Sequence, residues 1–170
     1  DVFEFLLFII DCFHESLKRE VDMKINGNIK NSKDILAKKC YDMMKNMYKR
    51  EYSEILNIFY GISVTQIKDY ETDDILSAAP EPFSILSLSI PTKSQCDILD
   101  CFDLYTRNEA LIGDNKWMND NTGEKQNVNK NLTFWSLPNV LIIELKRYGY
   151  NNNKTYLYLL NKFYHLLHLR

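Results

Sequence analysis

Apolar residues in the first sixty positions recur at spacings of three and four. Phe3, Leu6, Leu7, Ile10, Phe13 and Leu17 form one stripe, widened by Phe5, Phe8 and Ile9, while Glu4, Asp11 and Glu15 mark the other side. Residues 2–17 therefore read as a mostly buried helix. Charges and asparagines then break the pattern, and Asn26-Gly27-Asn28 signals a turn. A second helix, capped by Ser32 or Asp34, carries Ile35, Leu36, Lys39, Cys40, Met43, Met44 and Met47 on one stripe. A third runs from about Ser53 to Tyr60 and stops at Gly61, a residue suited to a C-cap.

Beyond Gly61 the period shifts towards two. Ile62, Val64 and Ile67 predict one strand, and Phe83, Ile85, Leu86, Leu88 and Ile90, ended by Pro91, predict another. Between them lie the acidic stretch Asp69 to Asp74 and a bend at Pro80-Glu81-Pro82. A short helix is expected around Ile98 to Tyr105, a strand or turn near Lys116 to Met118, and a polar loop over Asn119 to Asn131. Val140, Leu141, Ile142, Ile143 and Leu145 make Leu137 to Tyr148 a buried central strand. Asn151-Asn152-Asn153 reads as a turn, and the Tyr/Leu-rich end from Thr155 to Arg170 is ambiguous. Helices first and strands afterwards give an α+β arrangement.

Composition narrows the function classes. With 170 residues, 45% of them hydrophobic, the chain is one domain or a piece of one, and too apolar to be a disordered acidic chain. Its 21 basic and 23 acidic side chains are interspersed, so no basic stripe recommends nucleic acid as a partner. The longest apolar stretch, Val2 to Ile10, is about half of what a membrane span needs, and no membrane segment is expected. The four cysteines, Cys12, Cys40, Cys96 and Cys101, lack framework spacing, which favours a reducing compartment. Abundant Asn, Lys, Ile and Tyr suggest AT-rich coding, as in some protists and large DNA viruses. The opening on Asp1 without an N-cap lead-in reads as the interior of a longer product.

Catalytic chemistry is hard to find in the bare sequence. Cys12 and His14 are two apart on a helix and point about 200° away from each other, so they cannot pair locally. Cys12 and Cys40 read as small core hydrophobes and His14 as a boundary residue. Cys96 with Cys101, and His165 with His168, lack the second converging pair that zinc requires. They read as a packed helix end and a surface tail. No cofactor motif is present.

The order of several segments says more. Asp1-Val2-Phe3-Glu4-Phe5-Leu6-Leu7, running into Ile10-Asp11-Cys12-Phe13-His14-Glu15, resembles a box of the ubiquitin-specific proteases. So do Glu81-Pro82-Phe83 through Leu86-Ser87-Leu88, Glu109 with Leu111, Gly113-Asp114-Asn115-Lys116-Trp117, and Phe134-Trp135-Ser136-Leu137-Pro138 through Glu144-Leu145-Lys146-Arg147-Tyr148. The resemblance implies a papain-like cysteine protease fold of thumb, fingers and palm. Residues 1–60 would be thumb helices, 61–136 fingers and 137–170 the start of the palm, one incomplete domain. It implies binding of ubiquitin and, in the complete protein, hydrolysis of the isopeptide bond after ubiquitin's last glycine. The compartment implied is intracellular, cytoplasmic or nuclear, or the host cell if the source is viral.

Three departures qualify that expectation. No cysteine here matches the family's Asn-x-Gly-x-x-Cys nucleophile segment, and neither His165 nor His168 sits in its Gly-His-Tyr context. The chain alone is therefore expected to be inactive. The family's two Cys-x-x-Cys zinc pairs fall at Lys68 and Glu71 and near Asn119 and Thr122, so no metal or other cofactor is expected. By resemblance Asp1 and Glu4 would meet the arginine-bearing ubiquitin tail, with Tyr148 near its channel. Trp135 and Leu137-Pro138 read as packing residues, and Asp69 to Asp74 as a solvated loop. The alternative is a non-catalytic ubiquitin-binding or scaffold module. Coding sequence for the two missing segments beyond either end would favour the enzyme.

Overall fold

The computed structural model describes residues 2–93 and 96–147, and the backbone of 148–151 and 154–157. Three helices come first: α1 (Val2–Leu17), α2 (Ser32–Glu51) and α3 (Glu54–Phe59). The N-cap of α2 lies one residue before Ser32 and three before Asp34, the two expected caps. Asn31 is its N-cap, accepting the Asp34 N–H at 3.1 Å, while the Asp34 carboxylate takes the Asn31 N–H at 3.2 Å. This reciprocal box satisfies two donors that the first turn would otherwise leave unpaired.

Polar contacts fasten α1 to the α2–α3 junction. Arg19 and Tyr52 exchange backbone hydrogen bonds at 2.9 and 3.0 Å. The Arg19 guanidinium lies 5.0 Å over the Tyr52 ring and donates to both Glu54 carboxylate oxygens. Ser53 is fully buried, and its hydroxyl shares a 2.8 Å hydrogen bond with His14 Nδ1 instead of capping α3.

The Arg19 contact predicts an acid-dependent stability. It holds the Glu54 carboxyl down at about 2, below its ordinary 4.5, chiefly through the guanidinium hydrogen bond. A carboxyl depressed by folding stabilises above its unfolded pKa, and that stabilisation is lost as pH falls through the folded value. The stability difference between wild type and Glu54→Gln should hold steady above about pH 5 and shrink towards pH 2, less steeply in high salt. Thermal melts across that range check it, and a difference independent of pH contradicts it.

α1 is helical over the expected span, but it is far less buried than its pattern predicts. Only Ile10 is buried, with Phe3, Leu6, Ile9 and His14 partly covered. Val2, Phe5, Leu7, Phe8, Phe13 and Leu17 are exposed, as is Cys12, which is therefore not a core residue. The reason is geometric. α1 packs against α3, and a six-residue helix covers one stripe of a sixteen-residue one.

Tyr60, not Gly61, is the C-cap of α3, its N–H donating to the Leu56 carbonyl, and Gly61 instead starts β1 (Gly61–Asp69), which pairs antiparallel with β2 (Ile75–Phe83). The expected Pro80-Glu81-Pro82 bend lies inside β2. β2 is an edge of the sheet, where proline is tolerated because a missing N–H need not break the ladder. β3 (Ile85–Ser89) leads towards α4 (Ile98–Tyr105), then β4 (Glu109–Leu111), β5 (Trp117–Asn119), β6 (Glu124–Gln126) and β7 (Val128–Ser136).

Two of these strands overturn the polar loop expected over 119–131. β7 completes the main sheet in the order β2-β1-β7-β4, with Lys68 opposite Asn129 and Gln66 opposite Asn131. Its first half carries too few apolar side chains to show a period, because backbone pairing with β1 rather than burial sets that strand. The exception is Val128, which is wholly buried opposite Asp69.

The expected central strand also shortens. β8 (Ile142–Lys146) is half-buried and pairs in parallel with β3 in a two-stranded sheet, so it has one partner rather than two among the described strands. The stretch before it is anchored by the Val140 N–H on the Ile58 carbonyl at 2.8 Å and by Asn139 Nδ2 on the Asn57 carbonyl at 3.1 Å. Leu137 is exposed, not packed. β9 (Tyr148–Asn151) and β10 (Lys154–Leu157) form an antiparallel pair. Asn151 belongs to β9, whereas Asn152 and Asn153 of the expected turn, and most of the ambiguous end, lie outside the described residues.

The core has two centres. Cys40 of α2 packs with Ile62 and Val64 of β1, surrounded by Leu36, Met43, Met44 and Ala78. Leu86 and Leu88 of β3 pack with Cys101 of α4, surrounded by Phe83, Phe102, Phe134 and Leu145 among others. Phe134 joins strand to helix, with ring centroids 5.5 Å from Phe83, 6.2 Å from Phe102 and 6.3 Å from Tyr105.

Candidate functional site

Glu4 lies in the first turn of α1 and is exposed. An acidic group there favours the positive end of the helix dipole and also offers a partner for a guanidinium. Asp11 and Glu15 are seven and eleven residues further on, spacings that keep them near the same face of the helix. Lys18 pairs with Glu15 at 2.8 Å, so the acidic face ends in a salt bridge at the far end of the helix. Asp1 lies outside the described residues. Tyr148 opens β9, just after the exposed Lys146 and Arg147, and Glu4 stands on a separate element.

The four positions at which the sequence suggested replaced zinc ligands fall in or beside two turns. Lys68 is the next-to-last residue of β1, beside a register shift, and reaches the Asp73 carboxylate at 3.1 Å. Glu71 follows in the tight β1–β2 turn, where the Asp69 carboxylate accepts the N–H groups of Glu71 and Thr72 at 2.9 and 3.0 Å. Those donors hold the Asp69 carboxyl below its ordinary range, the Thr72 N–H contributing most. The acidic segment is thus a solvated turn, as expected, with Asp73 at a positive φ of 59°.

Asn119, in β5, is buried, and its Oδ1 accepts the Asn121 N–H at 3.0 Å while its Nδ2 reaches Gln126 at 3.3 Å. Thr122 and Gly123 donate their N–H groups to the Asn119 carbonyl. Side-chain oxygens of Asp69 and Asn119 therefore organise the two turns. Val128 opposite Asp69 puts the start of the strand that follows the β5–β6 hairpin at the β1–β2 turn. Among the described residues no three His, Cys, Asp or Glu converge so as to hold a metal ion.

Nucleophilic catalysis by a thiol needs a nearby imidazole. His14 is the only histidine among the described residues, and its Nδ1 is engaged by Ser53. Cys12 is on another face of the same helix, while Cys40 and Cys101 are wholly buried, with pKa values raised primarily by that burial. His165 and His168 lie outside the described residues.

Against known proteins, residues 1–167 match the family model described as ubiquitin carboxyl-terminal hydrolase. The chain belongs to that family. It is 30% identical over 167 residues to ubiquitin carboxyl-terminal hydrolase 4 of Candida glabrata, covering 91% of this chain and 18% of that protein. It is 29% identical over 160 residues to ubiquitin carboxyl-terminal hydrolase 5 of Saccharomyces cerevisiae, covering 91% and 20%. A probable ubiquitin carboxyl-terminal hydrolase of Acanthamoeba polyphaga mimivirus is 30% identical over 146 residues, covering 82% and 31%. The chain thus spans between 18% and 31% of the length of these relatives.

Membership in the ubiquitin carboxyl-terminal hydrolase family implies a papain-like ubiquitin-specific protease fold. The α+β order, helices and then mainly antiparallel strands, is consistent with it. No helix among the described residues is long and apolar enough to cross a membrane. A polar pair in the β3–β8 sheet, like the His14–Ser53 pair, was not foreseen from the sequence. Ser87 and Glu144 are opposite each other in the β3–β8 pair, and the half-buried carboxylate accepts the serine hydroxyl. The visible signal was a lone carboxylate inside the apolar run Ile142-Ile143-Glu144-Leu145.

Proposed function

We propose that this chain is the ubiquitin-holding portion of a cysteine-type deubiquitinase. In the complete protein it would take part in hydrolysing the isopeptide bond after ubiquitin's C-terminal glycine. The family match over residues 1–167 carries this reading. Residues 1–60 would act as thumb helices, 61–136 as fingers and 137–170 as the start of the palm. The change from helix to strand at Gly61 supports the first boundary. The parallel pairing of β3 with β8 supports contact between the second and third spans.

In this assignment Asp1, Glu4 and Tyr148 line the route of ubiquitin's arginine-bearing tail, and the partner is ubiquitin or a ubiquitinated protein. The fingertip holds without zinc at Lys68, Glu71, Asn119 and Thr122. The Asx-type turns around Asp69 and Asn119 support that assignment by closing both loops with hydrogen bonds. Catalysis is assigned to groups outside this chain, which alone is inactive, and the site of action is intracellular.

A ubiquitin vinyl-sulfone probe on the complete gene product tests the enzymatic part. The expected result is a single covalent adduct on a cysteine other than Cys12, Cys40, Cys96 and Cys101. An adduct on one of those four contradicts the assignment. Ubiquitin binding with no adduct at all replaces it with the scaffold reading.

A further inference from the structure

The start of α4 brings together two thiols that the deubiquitinase reading does not use. Asp97 is the N-cap and Asp100 closes a capping box with it, at 3.0 and 3.1 Å. Counting from that cap, Cys96 occupies N′ and Cys101 occupies N4. These are the positions of the hydrophobic staple, whose side chains pack against each other across the first turn. Cys101 is fully buried against Leu86 and Leu88, with its Sγ 3.5 Å from the Asp97 carbonyl, while Cys96 is only partly buried. The Lys93 ammonium pairs with Asp100, the carboxylate that closes the capping box.

We propose that Cys96 and Cys101 form a reversible intramolecular disulfide when the protein meets hydrogen peroxide. Staple positions direct two side chains towards each other, and the capping box holds the backbone between them in one geometry. The partly exposed Cys96 reacts first. Its sulfur attacks a peroxide oxygen, the O–O bond breaks, and a sulfenic acid and one water result. The Cys101 sulfur then attacks the Cys96 sulfur, the S–O bond breaks, and the hydroxyl leaves as a second water with the Cys101 proton. Two thiols have lost two electrons and two protons, and the peroxide has become two waters.

The division of labour follows the environment. The Cys101 thiol is pushed up by burial first, and further by Cys96, Asp100 and Asp97, so it persists as a thiol and resolves rather than initiates. Cys40, alone on α2 and fully buried, and Cys12, exposed on α1, have no such neighbour among the described residues. The bond would tie the residue before the N-cap of α4 to the second turn of that helix, the turn whose Cys101 packs on Leu86 and Leu88 of β3.

Tryptic digestion isolates the pair. Cleavage after Lys93 and Arg107 leaves residues 94–107, which contain Cys96 and Cys101 and neither of the other cysteines. Reduced protein with Cys12→Ser, treated with hydrogen peroxide and then alkylated, should show about tenfold less doubly alkylated peptide. The unalkylated form should be two hydrogens lighter, and dithiothreitol should restore double alkylation. In Cys101→Ser, Cys96 should instead accumulate as a dimedone-reactive sulfenic acid. Cys96 carried to sulfinic acid while Cys101 remains alkylatable would overturn the proposal, as would a peptide that peroxide leaves doubly alkylated.

Discussion

Leu88→Ala should lower the unfolding free energy by about 2–5 kcal/mol, as removal of a buried leucine does in a closely packed core. Leu88 is wholly buried in β3 and packs with Leu86 and with Cys101 of α4, with Phe102 and Leu145 around them. Neighbours on both the strand and the helix side limit collapse of the cavity, which places the loss high in that range. Urea titration followed by tryptophan fluorescence measures it, and amide exchange should show α4 losing protection, since that helix packs on β3. Leu137→Ala is the matched control. That side chain is exposed, and its loss should change stability by no more than about 0.5 kcal/mol.

Gly61→Ala should destabilise by about 3 kcal/mol, the upper end for overpacking a filled site. A Cβ at this position would lie 2.6 Å from Phe83 Cζ and 2.7 Å from the Ser136 carbonyl oxygen. The carbonyl belongs to β7 next to a register shift opposite Ile62 and Ser63, so relieving the contact means moving a strand of the main sheet. Phe83 is held by its edge contact with Phe134. A double-mutant cycle with Phe83→Ala should show that the alanine at 61 is tolerated better once the ring is gone. Equal penalties in both backgrounds would put the strain on the Ser136 carbonyl alone.

The helical half of the molecule was legible because its signals are local. The stripe in α1, the helix stop just before Gly61 and the short α4 are set by neighbours within a few residues. What covers each stripe was not legible. α1 carries enough apolar surface for a buried helix, yet most of it is exposed, since periodicity tells which face is apolar and not what lies against it. The strand half failed where pairing is driven by backbone hydrogen bonds. Pro80 and Pro82 looked like a bend because the edge position that accommodates them depends on β7, distant in sequence, taking the other side of β1. Asn129 and Asn131 looked like loop because their strand lacks a continuous apolar face, while β1 supplies its ladder.

The candidate site was named through ordered motifs rather than through chemistry. Glu4 and Tyr148 could be named from the resemblance alone, since an exposed carboxylate and a strand-end tyrosine have no local signature of binding. The Asp69 and Asn119 turns were hidden for the opposite reason. Their residue types were in view, but their role depends on which N–H groups the folded turn presents to them. The His14–Ser53 pair spans 39 positions and could not be found by any reading of spacing.

The central claim is that this chain receives folded ubiquitin, with Glu4 at the tail. Titrating isotopically labelled ubiquitin with the chain and following its amide resonances tests this most directly. The account predicts shifts confined to one face of ubiquitin and its C-terminal tail, with affinity reduced about tenfold by Glu4→Lys, or roughly 1.4 kcal/mol. A ubiquitin spectrum unchanged by the folded chain at high micromolar concentration would contradict it.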